Sequence, residues 1–237
     1  MLPSDDRIVM LSGATRGIGR AIALRLQADG YRLSLGVRDP VRVAPELRAD
    51  GERVFVTPYD ANDPVAAADS WVVATAKRFG GIDALVNDAA IVDRTGFQDV
   101  DEDAFDAIFR VNVKAPFMVS QRAFPHLGKC GHGRIVNLVS LGGLRLKNAN
   151  SMLYAMTKHA ARAMTDGLRL NGWQHGIRAT AICPGPVDTE MMANVGTDPG
   201  DMSKPTDIAA IVAHVLSLPN TASVAFIPIN SVVENVY

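Results

Sequence analysis

Residues 8–19 read Ile-Val-Met-Leu-Ser-Gly-Ala-Thr-Arg-Gly-Ile-Gly, followed by Arg-Ala-Ile-Ala-Leu-Arg-Leu-Gln-Ala. The apolar run 8–11 predicts a buried strand, and residues 17–28 place apolar side chains at helical spacing. A glycine-rich loop between a strand and a helix is the setting in which a backbone cradles a dinucleotide. The glycines let the chain turn sharply and approach a pyrophosphate, and the helix N-terminus faces its charge. Here they stand at 13, 17 and 19, so the pattern is G-x-x-x-G-x-G rather than G-x-G-x-x-G. The plainer alternative is a tight strand-to-helix turn.

Working outward, further strand-like runs occur at 33–37, 54–56, 84–86, 135–139, 180–182 and 224–229. Helical patterns lie between them at 64–79, 103–127, 154–171 and 206–218. This alternation predicts an α/β fold of the doubly wound Rossmann type, a parallel sheet of about seven strands with helices on both faces. Asp63-Pro64 reads as N-cap and first helical residue, and Asp103 as the cap of the fourth helix. In such a sheet, ligands bind beyond the carboxyl ends of the strands. The loops after Leu11, Val37, Val86, Val139 and Ile182 are therefore expected to converge.

Tyr154 and Lys158 stand four residues apart on a predicted helix, which puts both on one face. A phenol has a reference pKa of about 10. A nearby ammonium favours its ionised form, so such a pair suits proton transfer. Asn112 lies inside a predicted helix, where its amide competes for backbone partners.

These motifs together resemble the classical short-chain dehydrogenase/reductase family from end to end. The loop Ser12-Gly13-Ala14-Thr15-Arg16-Gly17-Ile18-Gly19 matches the family's T-G-x-x-x-G-x-G, with Ser12 for threonine. Asn87-Asp88-Ala89-Ala90 resembles N-N-A-G, and Pro184-Gly185-Pro186-Val187-Asp188-Thr189 resembles P-G-x-V-x-T. Asn112, Ser140, Tyr154 and Lys158 fall where the family keeps its catalytic Asn-Ser-Tyr-Lys tetrad. The resemblance implies an oxidoreductase moving hydride between a nicotinamide and a carbonyl or secondary alcohol. Tyr154 would exchange the proton, and Lys158 would tune Tyr154 and hold the nicotinamide ribose. Ser140 would bond the substrate oxygen, and Asn112 would interrupt its helix and carry a water toward Lys158. It further implies a cofactor site from Ser12, Gly13, Thr15, Arg16, Gly17, Ile18, Gly19, Arg38, Asp60, Ala61, Asn87, Ala89, Tyr154, Lys158, Pro184, Gly185, Val187 and Thr189, and no metal. Asp60 would contact adenine. Asn87 would support the sheet and line the cleft, and Ala90 adds a methyl beside the nicotinamide ribose.

The end of the second strand bears on cofactor choice. The family's acidic position falls on Val37, followed by Arg38, while Arg16 lies in the glycine loop. Two guanidinium groups able to share a 2′-phosphate favour NADP(H). Asp39, 20 residues after Gly19, keeps NAD(H) as the alternative, and a solvated turn before Pro40 is the plain reading.

At 237 residues and 48% hydrophobic, the chain fits one nucleotide-binding domain, 1–237, with a short substrate cover over about 188–204. Gly196, Pro199 and Gly200 suggest that this cover moves, and Met191 and Met192 are expected on the pocket wall. Arg145 and Lys147 after Ser140 suit an anionic substrate or a solvated loop. A net charge of −1 offers no footprint for nucleic acid or an anionic membrane. The polar start, the lack of a long apolar run, and Cys130 and Cys183 without metal-ligand spacing suggest a cytoplasmic protein. The five histidines share no metal-like spacing either. The C-terminal stretch lacks the family's usual glycine pair. The resemblance implies a homo-oligomer, a tetramer or dimer, pairing helices 103–127 and 154–171. The other readings are a 3-oxoacyl-carrier-protein reductase, with Arg122, Lys129 and Arg162 as partner contacts, and a non-catalytic NADP-sensing protein.

Overall fold

Ile8–Ser12 forms β1, and its alternation sets the two faces of the molecule: Val9 and Leu11 enter one core and Met10 the other. The chain is described by a computed structural model over residues 1–193 and 198–233. β2 (Arg32–Val37), β3 (Val54–Pro58), β4 (Ala84–Asn87), β5 (Arg134–Leu138), β6 (Arg178–Pro184) and β7 (Phe226–Ile229) complete one seven-stranded sheet. Every pairing is parallel, in the order β3-β2-β1-β4-β5-β6-β7. The order reverses between β1 and β4, which opens a crevice at their carboxyl ends.

The helices are α1 (Gly17–Ala28), α2 (Pro45–Ala49), α3 (Pro64–Phe79), α4 (Glu102–Phe109), α5 (Ala115–Lys129), α6 (Met152–Gly172) and α7 (Pro205–Ser217). Ile22 and Leu26 of α1 meet Ile208, Val212 and Leu216 of α7 beneath one face. Trp71 of α3 and Val119, Ala123 and Leu127 of α5 fill the other. Trp71 donates its indole N–H to Ser34 Oγ at 2.9 Å, so the largest buried side chain is also hydrogen-bonded. Truncating a buried leucine such as Leu26 costs about 2–5 kcal/mol.

The sequence patterns 17–28 and 64–79 are helices with those bounds. The pattern 103–127 is instead α4 and α5 joined by a π-helical turn, Arg110–Lys114, centred on Asn112. Asp101, not Asp103, caps α4: its carboxylate accepts the Ala104 N–H at 2.7 Å. Pro64 opens α3 as expected, while Asp63 makes no side-chain cap bond. The short α2 carries too few periodic residues to read from sequence. Of the cover expected over 188–204, residues 194–197 lie outside the described residues, as do 234–237 of the C-terminal stretch. No helix among the described residues is long and apolar enough to cross a membrane.

Candidate active site

Loops from the carboxyl ends of the strands enclose a cleft of about 700 Å³. Its floor is the glycine loop. Gly13 has φ +83°, and a β-carbon there would meet the Ala89 backbone nitrogen at 2.9 Å. Arg16, the N-cap of α1, provides no side-chain cap, so the Gly17 and Ile18 N–H groups at the start of the helix stay open to an anion. Thr15, Arg16, Gly17 and Ile18 join Gly13 on the wall. A bare backbone cradle at a helix N-terminus fits a pyrophosphate.

At the far end stand Val37, Arg38, Asp60 and Ala61, together with Arg42, which the sequence reading missed. Asp39 Oδ1 accepts the Val41 N–H at 3.1 Å and caps the 3₁₀ turn Pro40–Arg42. That turn swings Arg42 toward the cleft and engages the carboxylate that a ribose would need. Arg16 meanwhile pairs with Glu190 at 2.7 Å across the mouth, both side chains more than half exposed. Asp60 Oδ1 accepts from the backbone and side chain of Asn62, each at 3.0 Å, so it also shapes the entry to α3.

At the other end Ser140, Tyr154 and Lys158 share the wall. A β-carbon on Gly142 would lie 3.4 Å from Ser140 Oγ and 3.9 Å from the Tyr154 ring, so those two side chains flank one point. Ser140 Oγ accepts the Gly142 N–H at 3.0 Å, which leaves its O–H to donate into the cleft. Lys158 is buried, donates to the Leu138 carbonyl at 2.8 Å, and holds its ammonium 5.5 Å from the Tyr154 ring centroid. One such bond leaves two N–H donors for a ligand. Pro184, Gly185, Val187, Thr189, Met191 and Met192 close this end.

Four expected site residues stand behind the wall. Ser12 Oγ accepts the N–H groups of Asp88 and Ala89, both at 3.1 Å, and so ties β1 to the loop after β4. Gly19 packs on the Gly13 carbonyl and on Asp88. Asn87 donates to Ser120 and Asn137, supporting the sheet but not lining the cleft. Asn112 donates to the Ile91 carbonyl at 2.8 Å and to Thr157 Oγ1 at 3.1 Å, and accepts the Ile91 N–H at 2.9 Å. Both of its amide hydrogens are engaged, so the side chain clamps the β4 loop to α6 and keeps only acceptor capacity for a water. Asn137 and Thr165 extend the buried network of Asn87 and were not singled out in the sequence, because a lone Asn or Thr in an apolar run carries no local signal.

Asp88 departs most in character from the family pattern. Burial pushes its carboxyl up to about 7, against the opposing pull of the Lys158 charge and the Gly19 N–H. At the opposite, amino end of the strands, Asp83, Cys130 and His132 bring ligand atoms within 4.8 Å of one another. Sequence separation hid this grouping. Burial raises the Cys130 thiol, and burial with the Arg7 charge lowers His132. Asp83 already accepts the Ile8 N–H at 2.8 Å. A protonated thiol beside the Arg7 charge suits a structural knot better than a cation.

A sequence profile for short chain dehydrogenase matches residues 7–200. The chain belongs to the short-chain dehydrogenase family of oxidoreductases. It is 39% identical over 223 residues to an agropine synthesis reductase of Rhizobium rhizogenes, covering 92% of this chain and 50% of that one. It thus spans about half the length of that curated relative. A short chain dehydrogenase from Burkholderia cenocepacia J2315, solved in complex with NADP, superposes with TM-score 0.88 at 32% identity, covering 97% of this chain and 98% of that one. Levodione reductase superposes with TM-score 0.86 at 28% identity over 96% and 97% of the two chains.

Proposed function

We propose that this chain is an NADP(H)-dependent carbonyl reductase, also able to run as an alcohol dehydrogenase. The observation that carries the reading is the Ser140–Tyr154–Lys158 group at one end of a cleft whose floor is a bare glycine cradle and whose other end holds Arg38 and Arg42. When bound, the cofactor supplies or accepts the hydride. The chain's own residues manage one proton and one developing charge. Ser140 donates its O–H to the substrate oxygen and stabilises charge there. Tyr154 gives that oxygen its proton in reduction and takes it back in oxidation. Lys158 fixes a positive charge beside the phenol and offers two N–H donors to the nicotinamide ribose. Asn112 holds the Ile91 loop in place. The arginines favour NADP(H) over NAD(H), as does the engagement of Asp39 in its own turn. A reductase in a relative's name and an NADP complex of a similar chain support the same direction and cofactor.

The carrier-protein alternative has less support, because Arg122, Lys129 and Arg162 are not on the cleft wall. Arg122 pairs with Asp69 and Arg162 with Asp166. We further read residues 1–237 as one nucleotide-binding domain, acting as a homo-oligomer in the cytoplasm. Phe105, Phe117, Met156 and Leu170 are exposed on α4, α5 and α6, the helices expected to pair. Light scattering at micromolar concentration tests the assembly; a mass of one chain refutes it. For the activity, NADPH absorbance is followed over a panel of ketones and aldehydes with wild type and Tyr154→Phe. Turnover lost in Tyr154→Phe with NADPH binding retained supports the reading. A variant as fast as wild type defeats it.

A further inference from the structure

We infer that the substrate carries an apolar body of several carbons beside its carbonyl, and that Arg94 is a positioning residue that holds Met191 and Met192 against that body. This deepens the reading above and rests on it. Beyond Ser140 and Tyr154 the wall presents Ile91, Val92, Leu141, Pro186, Met191 and Met192. These side chains come from the loops after β4, β5 and β6. Three separate loops thus bring apolar surface to the end of the cleft where the carbonyl must lie. Ile91 lines the cleft with 40% of its surface exposed, and an apolar ligand would remove such surface from water.

Met191 and Met192 lie in the 3₁₀ turn Glu190–Met192, which is held from two sides. Arg94, from the loop after β4, donates to the Met191 carbonyl at 3.1 Å and reaches the Met192 thioether at 3.9 Å. Arg16, from the glycine loop, pairs with Glu190. The loop that carries Arg94 is itself fixed on both sides of it. Asn112 clamps the Ile91 backbone, and Asp93 accepts the Thr95 N–H at 2.7 Å. Arg94 therefore anchors the backbone of the turn, while the rotatable bonds of each methionine let its thioether follow a ligand. Such a wall fits apolar bodies of differing outline. The cations at this end are engaged, Arg94 with the turn and Arg145 and Lys147 within the chain. The apolar side chains are left to take the body of the substrate.

The test titrates 2-pentanone, 2-heptanone and 2-nonanone into protein saturated with NADP⁺, followed by NMR. NADP⁺ has no hydride to give, so binding alone is read. Wild-type affinity should rise about two- to fourfold per added methylene, full burial of one methylene being worth about fourfold. Arg94→Met keeps the bulk and loses the donors. Its affinity for 2-heptanone should fall about three- to tenfold, the scale of one hydrogen bond, with the affinities for 2-pentanone and NADP⁺ nearly unchanged. Arg94→Lys keeps an N–H donor for the Met191 carbonyl and should recover part of the loss. Arg94 is exposed, so neither substitution disturbs the core. Wild-type affinities that do not grow with chain length overturn the inference. So does an Arg94→Met variant that matches wild type with 2-heptanone, or that loses equally with 2-pentanone. Affinity growing with chain length, but no NADPH oxidation by any carbonyl, would keep the apolar site and remove the reductase reading, so the two fail separately.

Discussion

Asp88 Oδ2 lies 2.5 Å from the position a β-carbon on Gly19 would take, and the Gly19 N–H bonds the same carboxyl. The Gly13 carbonyl oxygen stands 2.4 Å from that position as well. The third glycine of the loop is therefore required by close packing of α1 against the loops after β1 and β4. Gly19→Ala pushes on backbone that has no room to give. A loss of about 1–3 kcal/mol in stability is expected, together with weaker NADPH binding as the cradle opens. Urea unfolding and fluorescence titration check both; unchanged values would mean the loop adapts freely.

The same carboxyl makes stability depend on pH. Its folded value, about 7, lies above the ordinary 3.8, so the folded state holds this proton more tightly than the unfolded chain. This contribution is therefore fully present below pH ~4, declines as pH rises toward ~7, and is flat beyond. Cleft water screens a half-buried residue, so the swing is at most on the order of a few kcal/mol. Asp88→Asn should abolish the slope, gaining on wild type as pH rises from 4 to 8 in urea unfolding. It should also tighten NADPH binding at pH 8, where the wild-type carboxylate repels a pyrophosphate. Parallel pH profiles for the two proteins would refute this.

Cofactor choice should lie in the guanidinium groups at the end of β2. Arg38→Ala and Arg42→Ala should each weaken NADPH by about 1.5–3 kcal/mol and leave NADH nearly unchanged. Equal losses for the two cofactors would place these residues outside 2′-phosphate recognition. Glu190→Gln should act in the opposite sense. It frees Arg16 from an exposed ion pair, a change worth about 0.2–1 kcal/mol in favour of NADPH.

Asn112→Ala removes the clamp between the Ile91 backbone and Thr157. Leaving those buried groups unpaired should cost about 1–3 kcal/mol of stability. The β4 loop should also shift, lowering kcat more than it raises KM for the cofactor. Asn112→Asp keeps the acceptor for the Ile91 N–H and loses the donors, so it should recover little. A stable, fully active Asn112→Ala would show the clamp to be dispensable.

The fold was legible because its signals are local and repeated. Apolar runs of strand length, separated by helical periodicity and glycine turns, leave a parallel sheet as the way to bury them, and the loop at residues 12–19 marks where the crevice opens. That Ser140, Tyr154 and Lys158 share one wall was legible because Tyr154 and Lys158 are one helical turn apart and Ser140 follows closely on β5. Other features needed the tertiary structure, since they arise between residues distant in sequence. The parallel sheet and the π turn bring Asn112 to the Ile91 loop, and a 3₁₀ turn capped by Asp39 carries Arg42 to the cleft. In the sequence Asp88 stands only as one residue of the Asn87-Asp88-Ala89-Ala90 motif. Only the approach of α1 encloses its carboxyl and changes its charge near neutral pH, because desolvation depends on what surrounds a group and not on its neighbours along the chain.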